Sequence, residues 1–159
     1  MAVISLAWLA AIMGWNGQPT GKSNANGKAI ICEPKYLMSS NAPKGLELRG
    51  YIFQSDKVIL EVILQDGDRF KIGVYSAQSF YSEDNQLKWG AYNTFWQRWG
   101  GMVLDRKTLE LRAVNAHDGS SFGYDCELYS ARWRYRMVMR KHLKSLQAQL
   151  NKTQSQNKI

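Results

Sequence analysis

The chain is 159 residues long, with 45% hydrophobic, 21% charged and 12% aromatic residues, a balance that fits one globular domain and excludes an intrinsically disordered chain. Folding a chain of this length buries roughly two thirds of its unfolded surface, enough for a core of its own. No collagen period, heptad run, internal repeat or apolar stretch of about eighteen or more residues is present, which excludes fibres, solenoids and a bundle of transmembrane helices.

The formal charge of +8 is confined to one end. Residues 1–127 carry thirteen Lys or Arg against thirteen Asp or Glu, whereas residues 128–159 carry Arg132, Arg134, Arg136, Arg140, Lys141, Lys144, Lys152 and Lys158 with no acid. A neutral body followed by a basic terminal element is therefore expected.

Residues 2–15, AVISLAWLAAIMGW, are apolar apart from Ser5 and one glycine, and a Gly/Asn/Ser-rich segment with Pro19 follows. The pattern reads as a signal peptide or short N-terminal anchor over 1–20, with a linker over 21–28; a buried first helix is the other reading. Fourteen residues are few for a helix spanning about 30 Å of hydrocarbon. The only cysteines are Cys32 and Cys126, neither in a C-x-x-C pair. In an exported protein such a pair reads as a disulfide, and in a cytosolic one as two buried thiols. With His117 and His142 far apart, no metal-ligand spacing exists, so neither metal nor cofactor is expected.

An antiparallel β domain is expected over 29–128. Ala29–Cys32 is a short strand stopped by Pro34, and apolar residues then alternate through Leu46, Leu48 and Ile52 and through Val58, Leu60, Val62 and Leu64. Asp66-Gly67-Asp68 supplies a tight turn before Phe70, Ile72 and Val74. Ser82–Gln86 is a polar turn leading to a strand over 87–92. Met102–Leu104 and Leu109–Ala113 form a hairpin across Asp105–Thr108, and Phe122, Tyr124, Cys126 and Leu128 make the last strand. Short strands at this spacing predict a meander that closes into a barrel or folds as a sandwich.

Over 129–150 the period changes. Tyr135, Met139, Leu143, Leu146 and Leu150 share one helical face, and Arg132, Arg136, Arg140 and Lys144 form a row on another. A basic amphipathic helix is expected, ending in a disordered tail over 151–159. Like charges at i+4 weaken the isolated helix by a few tenths of a kcal/mol each, so its apolar face must dock on something.

Cys32-Glu33, Gly50-Tyr51-Ile52-Phe53 with Asp56-Lys57-Val58, Trp89, Leu104-Asp105-Arg106-Lys107-Thr108-Leu109 and Tyr124-Asp125-Cys126 stand in that order before the basic helix. In this order the chain resembles, over about residues 30–145, a loose group of small exported bacterial proteins of unknown function with a β-rich domain. The resemblance implies export and a paired cysteine near each end of the domain, and carries no activity.

His117, Asp118, Ser120 and Ser121 cluster in one loop, but no G-x-S-x-G or other rigid nucleophile context surrounds them, and Glu83-Asp84 and Asp66/Asp68 sit in turn contexts. No catalytic residue is assigned. Tyr92, Phe95, Trp96 and Trp99 form a candidate aromatic face, either strand packing or a surface for a sugar, lipid or base. The candidate surface-binding residues are Arg132, Arg134, Arg136, Arg140, Lys141 and Lys144. They suit an anionic membrane surface or an acidic protein partner, and less well a nucleic acid, because the body is neutral. The sequence thus predicts a periplasmic or envelope-associated, non-catalytic binding module; the alternative is a cytosolic nucleic-acid binder that uses the basic aromatic helix.

Overall fold

Alternating apolar residues and turns at short intervals become a closed antiparallel barrel. The structure is a computed structural model that describes residues 24–35, 48–75, 77–93, 98–115 and 117–156, with only the backbone described for 91–93 and 98–99. The expected signal peptide or anchor over 1–20 lies outside these residues.

The strands are β1 (Ala29–Pro34), β2 (Arg49–Gln54), β3 (Lys57–Asp66), β4 (Arg69–Val74), β5 (Gln78–Glu83), β6 (Gln86–Asn93), β7 (Arg98–Asp105), β8 (Glu110–Val114) and β9 (Ser121–Tyr129), followed by helix α1 (Arg132–Gln156). Strand β3 pairs with β2 along one edge, and its other edge takes β5 at Lys57 and Val58, then β4 from Glu61 to Asp66. Strands β4 and β5 thus form one interrupted stave, and the barrel is an eight-stave meander closed by β9 against β1. Periodicity in the sequence misses β5, because QSFYSE buries only Phe80.

The closing ladder places Cys32 opposite Cys126, and the two form a disulfide. Residues 24–28, expected as linker, instead pack on the barrel: Ala25 is buried, Gly27 N donates to Phe53 O at 2.9 Å and Phe53 N to Lys28 O at 3.0 Å. A backbone that finds these partners has no reason to stay solvated.

Period two separates two cores. Ile30, Cys32, Tyr51, Phe53, Val58, Phe80, Leu87, Trp89, Leu104, Leu111 and Tyr124 fill the barrel. Tyr51 and Phe53 meet Trp89 edge-on at 5.3 and 5.8 Å between ring centroids, so the interior is packed side chain, as expected for a barrel this narrow. Ala29, Ile31, Leu48, Ile52, Ile63 and Phe70 point outward and are covered by Tyr135, Met139 and Leu146 of α1. This explains why β1 reads as a continuous apolar run: both of its faces are buried. Of the alternation expected before and in β2, Leu48 and Ile52 face the helix, and Leu46 lies outside the described residues.

Helix α1 is fixed by polar contacts as well. Tyr135 Oη donates to Glu61 Oε2 at 2.9 Å, and the absence of a side chain at Gly50 makes room for the phenol. Farther along, Gln147 Oε1 accepts from Phe70 N and its Nε2 donates to Asp68 O, both at 2.9 Å, which satisfies the outer edge of β4. The helix continues to Gln156, so most of the expected disordered tail is helical. Gln147 Nε2 to Asn151, Thr153 Oγ1 to Gln149 O and Ser155 Oγ to Lys152 O are side-chain bonds within these last turns.

Candidate functional site

Because Tyr135, Met139 and Leu146 must face the barrel, the 3.6-residue period turns Trp133, Met137, Arg140 and Lys144 directly away from it. Arg132, Arg134, Arg136, Arg140, Lys141 and Lys144 are all exposed. Trp133 is 59% exposed and Met137 60%, the Arg134 guanidinium lies 5.3 Å from the Trp133 ring centroid, and Arg132 Nη2 donates to Gln54 Oε1 at 3.3 Å. The ion pairs found among the described residues join Lys35 to Glu110 and Asp125, Lys71 to Asp66 and Lys88 to Glu83. None of them draws on a helix cation. The structure therefore gathers the six predicted cations on one helix and adds two large apolar side chains among them.

A second feature was not singled out from the sequence. In an antiparallel meander, alternate connections share a barrel end, which brings together residues 24–28, the turn at Ser55-Asp56, the turn at Asp84-Asn85 and the turn after β7. At this end a cavity of about 360 Å³ opens, walled by Ile30, Phe53, Leu87, Leu104, Leu109 and Leu128. Its polar lining is Lys28, Arg106 and Lys107 with Asn24 and Asn85, and none of the described lining residues is acidic.

The turn after β7 is built by Asp105, whose Oδ1 accepts from Lys107 N at 2.8 Å and Thr108 N at 3.0 Å. These donors, Thr108 foremost, hold its carboxyl below the ordinary aspartate value. Leu109 is left at φ +58°, a region unfavourable for a branched side chain, and is fixed there by Leu109 N to Asp105 O and Cys126 N to Leu109 O. Arg106 bridges to the neighbouring turn: its backbone N donates to Asn85 O at 2.7 Å and its Nη2 to Asp84 O, while its Nε–H is out of solvent contact and meets no acceptor.

The remaining candidates do not converge. In the loop carrying His117, Asn115 Oδ1 accepts from His117 N at 2.9 Å and Asp118 Oδ1 from Ser120 N at 2.8 Å, so Asn115 and Asp118 bond the local backbone. The Ser120 bonds pull the Asp118 carboxyl below its ordinary value. Of the candidate aromatic face, Phe95 and Trp96 lie outside the described residues; the backbones of Tyr92 and Trp99 pair across β6 and β7, at the barrel end opposite the cavity. Among the described residues no three His, Cys, Asp or Glu are grouped to hold a metal ion, and no helix is long and apolar enough to cross a membrane. Comparison of the chain with protein-family models, curated proteins and solved structures gave no match.

Proposed function

We propose that this protein is an exported, non-catalytic binding module that attaches to an anionic membrane surface through the outer face of α1. The observation that carries the reading is the composition of that face: exposed Arg and Lys with no acid from residue 128 onward, and Trp133 and Met137 exposed among them. Cations at an anionic leaflet contribute about 1 kcal/mol each, and an interfacial aromatic adds apolar burial in the headgroup region. The exposed Trp133 and Met137 suit a lipid interface, where apolar side chains enter the headgroup region beside the cations. Export is supported by the Cys32–Cys126 disulfide, a bond compatible with an oxidising compartment.

The test is sedimentation with vesicles of phosphatidylcholine alone or mixed with phosphatidylglycerol. The protein is expected to partition only onto the mixed vesicles, and Arg136→Gln, Arg140→Gln, Lys141→Gln and Lys144→Gln together should release it without unfolding, as checked by circular dichroism. Four lost cations correspond to an upper limit of about 4 kcal/mol, roughly a thousandfold in partition. Partition unchanged by the four substitutions, or absent in the wild type, overturns the reading. Export is checked by alkylating the protein from its producing cells before reduction; two reactive thiols overturn it.

A further inference from the structure

The cavity at the end of the barrel is a site distinct from the outer face of α1. Its wall is supplied by residues that the barrel buries in any case: Ile30, Phe53, Leu87 and Leu104 end the inner core and give the cavity an apolar floor. Its rim is cationic and held in place. The Arg106 side chain is tied to the Asp84 carbonyl through Nη2, and its Nε–H is shielded from water with no acceptor. With Nη2 engaged and Nε shielded, the guanidinium still brings its full positive charge to the cavity lining. Lys28 and Lys107 add positive charge on the same rim, and none of the described lining residues is acidic.

Leu109, held at positive φ beside the cavity, and Leu128, 43% exposed, extend the apolar wall to the opening. Strain of this kind costs about 1 to 3 kcal/mol and persists only where the surroundings impose it. Here it turns a leucine toward the cavity. At about 360 Å³ the space falls at the small end of the range of ligand pockets, roughly 300 to 1,000 Å³.

From these observations we infer that the barrel mouth binds a small amphipathic carboxylate, an aliphatic acid of medium chain length. The chain lies on Ile30, Phe53, Leu87 and Leu104, and the carboxylate sits at the rim among the cationic side chains of Lys28, Arg106 and Lys107. The site asks for both halves of the ligand. An inorganic anion leaves the apolar floor wet, and a neutral chain leaves the three cations of the rim without a counter-charge.

The experiment is calorimetric titration of the full chain, without vesicles, with decanoate, methyl decanoate and acetate, alongside amide chemical shifts to locate the site. Omitting lipid keeps the outcome independent of the α1 reading. Decanoate is expected to bind, shifting the amides of Lys28, Arg106 and Leu128, while the ester and acetate bind at least about tenfold more weakly. Arg106→Gln should weaken decanoate by about tenfold or more. Because that change also removes the bond to Asp84, Leu128→Glu provides a second variant: it places an acid at an exposed position on the rim and should abolish binding while leaving the melting temperature unchanged. Equal affinity for decanoate and its ester, equal affinity for decanoate and acetate, shifts located elsewhere, or no binding of decanoate each overturns the inference.

Discussion

Replacing Gly50 by alanine tests how α1 is seated on the barrel. An alanine Cβ at that position would lie 2.0 Å from Tyr135 Oη, 2.9 Å from Cζ and 3.1 Å from Cε2. The ring has nowhere to go: Tyr135 is fully buried, bonded to Glu61, and edge-on to Tyr129 at 6.2 Å between centroids. Overpacking of a filled site costs about 1 to 3 kcal/mol. Pushing the phenol off Glu61 costs about 1.5 to 3 more, because the acceptor is a carboxylate. The lower backbone entropy of alanine in a strand returns about 0.5 to 1 kcal/mol. The net loss is about 3 kcal/mol, against the roughly 5 to 15 that hold a domain together. Urea unfolding followed by circular dichroism measures it. Tyr135→Phe keeps the ring and deletes the atom at 2.0 Å, so Gly50→Ala should cost less in that background, with a coupling of about 1 to 2 kcal/mol. An equal cost in both backgrounds, or a cost in the wild type under about 0.5 kcal/mol, would refute the packing argument.

Three further outcomes are expected. Reducing Cys32–Cys126, which closes a span of 94 residues, should lower the urea midpoint and raise the m-value, since the unconstrained unfolded chain exposes more surface; the chain-entropy limit is about 4 to 5 kcal/mol, and superimposable curves for the two redox states would contradict it. Alkali should destabilise the fold through its buried phenols. Burial pushes Tyr51 up to about 12, against a partial opposing effect of Arg49, while the unfolded value stays near 10.0. The neutral phenol is the form the fold prefers, so this contribution is complete below pH 10, declines as pH rises toward 12 and amounts to about 3 kcal/mol. Burial, reinforced by Glu61, raises Tyr135 as well. Phenolate absorbance that develops before any loss of structure at these tyrosines would count against the assignment. Finally, Gln147→Ala should leave the Phe70 N–H unpaired at the outer edge of β4, costing about 1 to 3 kcal/mol and speeding hydrogen exchange there; an unchanged Phe70 rate would show that the amide has another acceptor.

The barrel was legible wherever one face of a strand is apolar and the other polar, as in Phe122, Tyr124 and Cys126 of β9 or Phe70 and Ile72 of β4. Where α1 covers the outside, β1 loses that contrast, and its apolar run conceals which residues face which core; before and in β2 the alternation of Leu48 and Ile52 marks the helix side, and Tyr51 and Phe53 fill the barrel. Strand β5 was illegible because Phe80 is its sole buried residue. The cations of α1 were visible at once, since no acid interrupts them from residue 128 onward. The cavity was not. Its residues come from five separated segments, and Arg106 reads locally as the exposed tip of a hairpin. Counting connections along the meander does place residues 24–28, 84–85 and 106–109 at one end, but no local pattern reports that Arg106 Nε is shielded there.

The two polar clamps on α1 decide more than its stability. An apolar stripe alone would tolerate a helix that rolls by tens of degrees or slides by a turn, since Ala29, Ile31, Ile52 and Ile63 offer a broad surface without fixed partners. Tyr135 bonding Glu61 near the start of the helix and Gln147 bonding Phe70 and Asp68 three turns later admit one rotation and one register. With rotation fixed, Trp133, Met137, Arg140 and Lys144 can only face outward, and with register fixed Arg132 stays beside Gln54, at the end of the barrel where the cavity opens. The cations of α1 are therefore a fixed feature of the folded surface, oriented by the bonds of Tyr135 and Gln147. Loosening either clamp should blur the direction of that face before it unfolds the barrel, because the inner core of Tyr51, Phe53 and Trp89 makes no use of the helix.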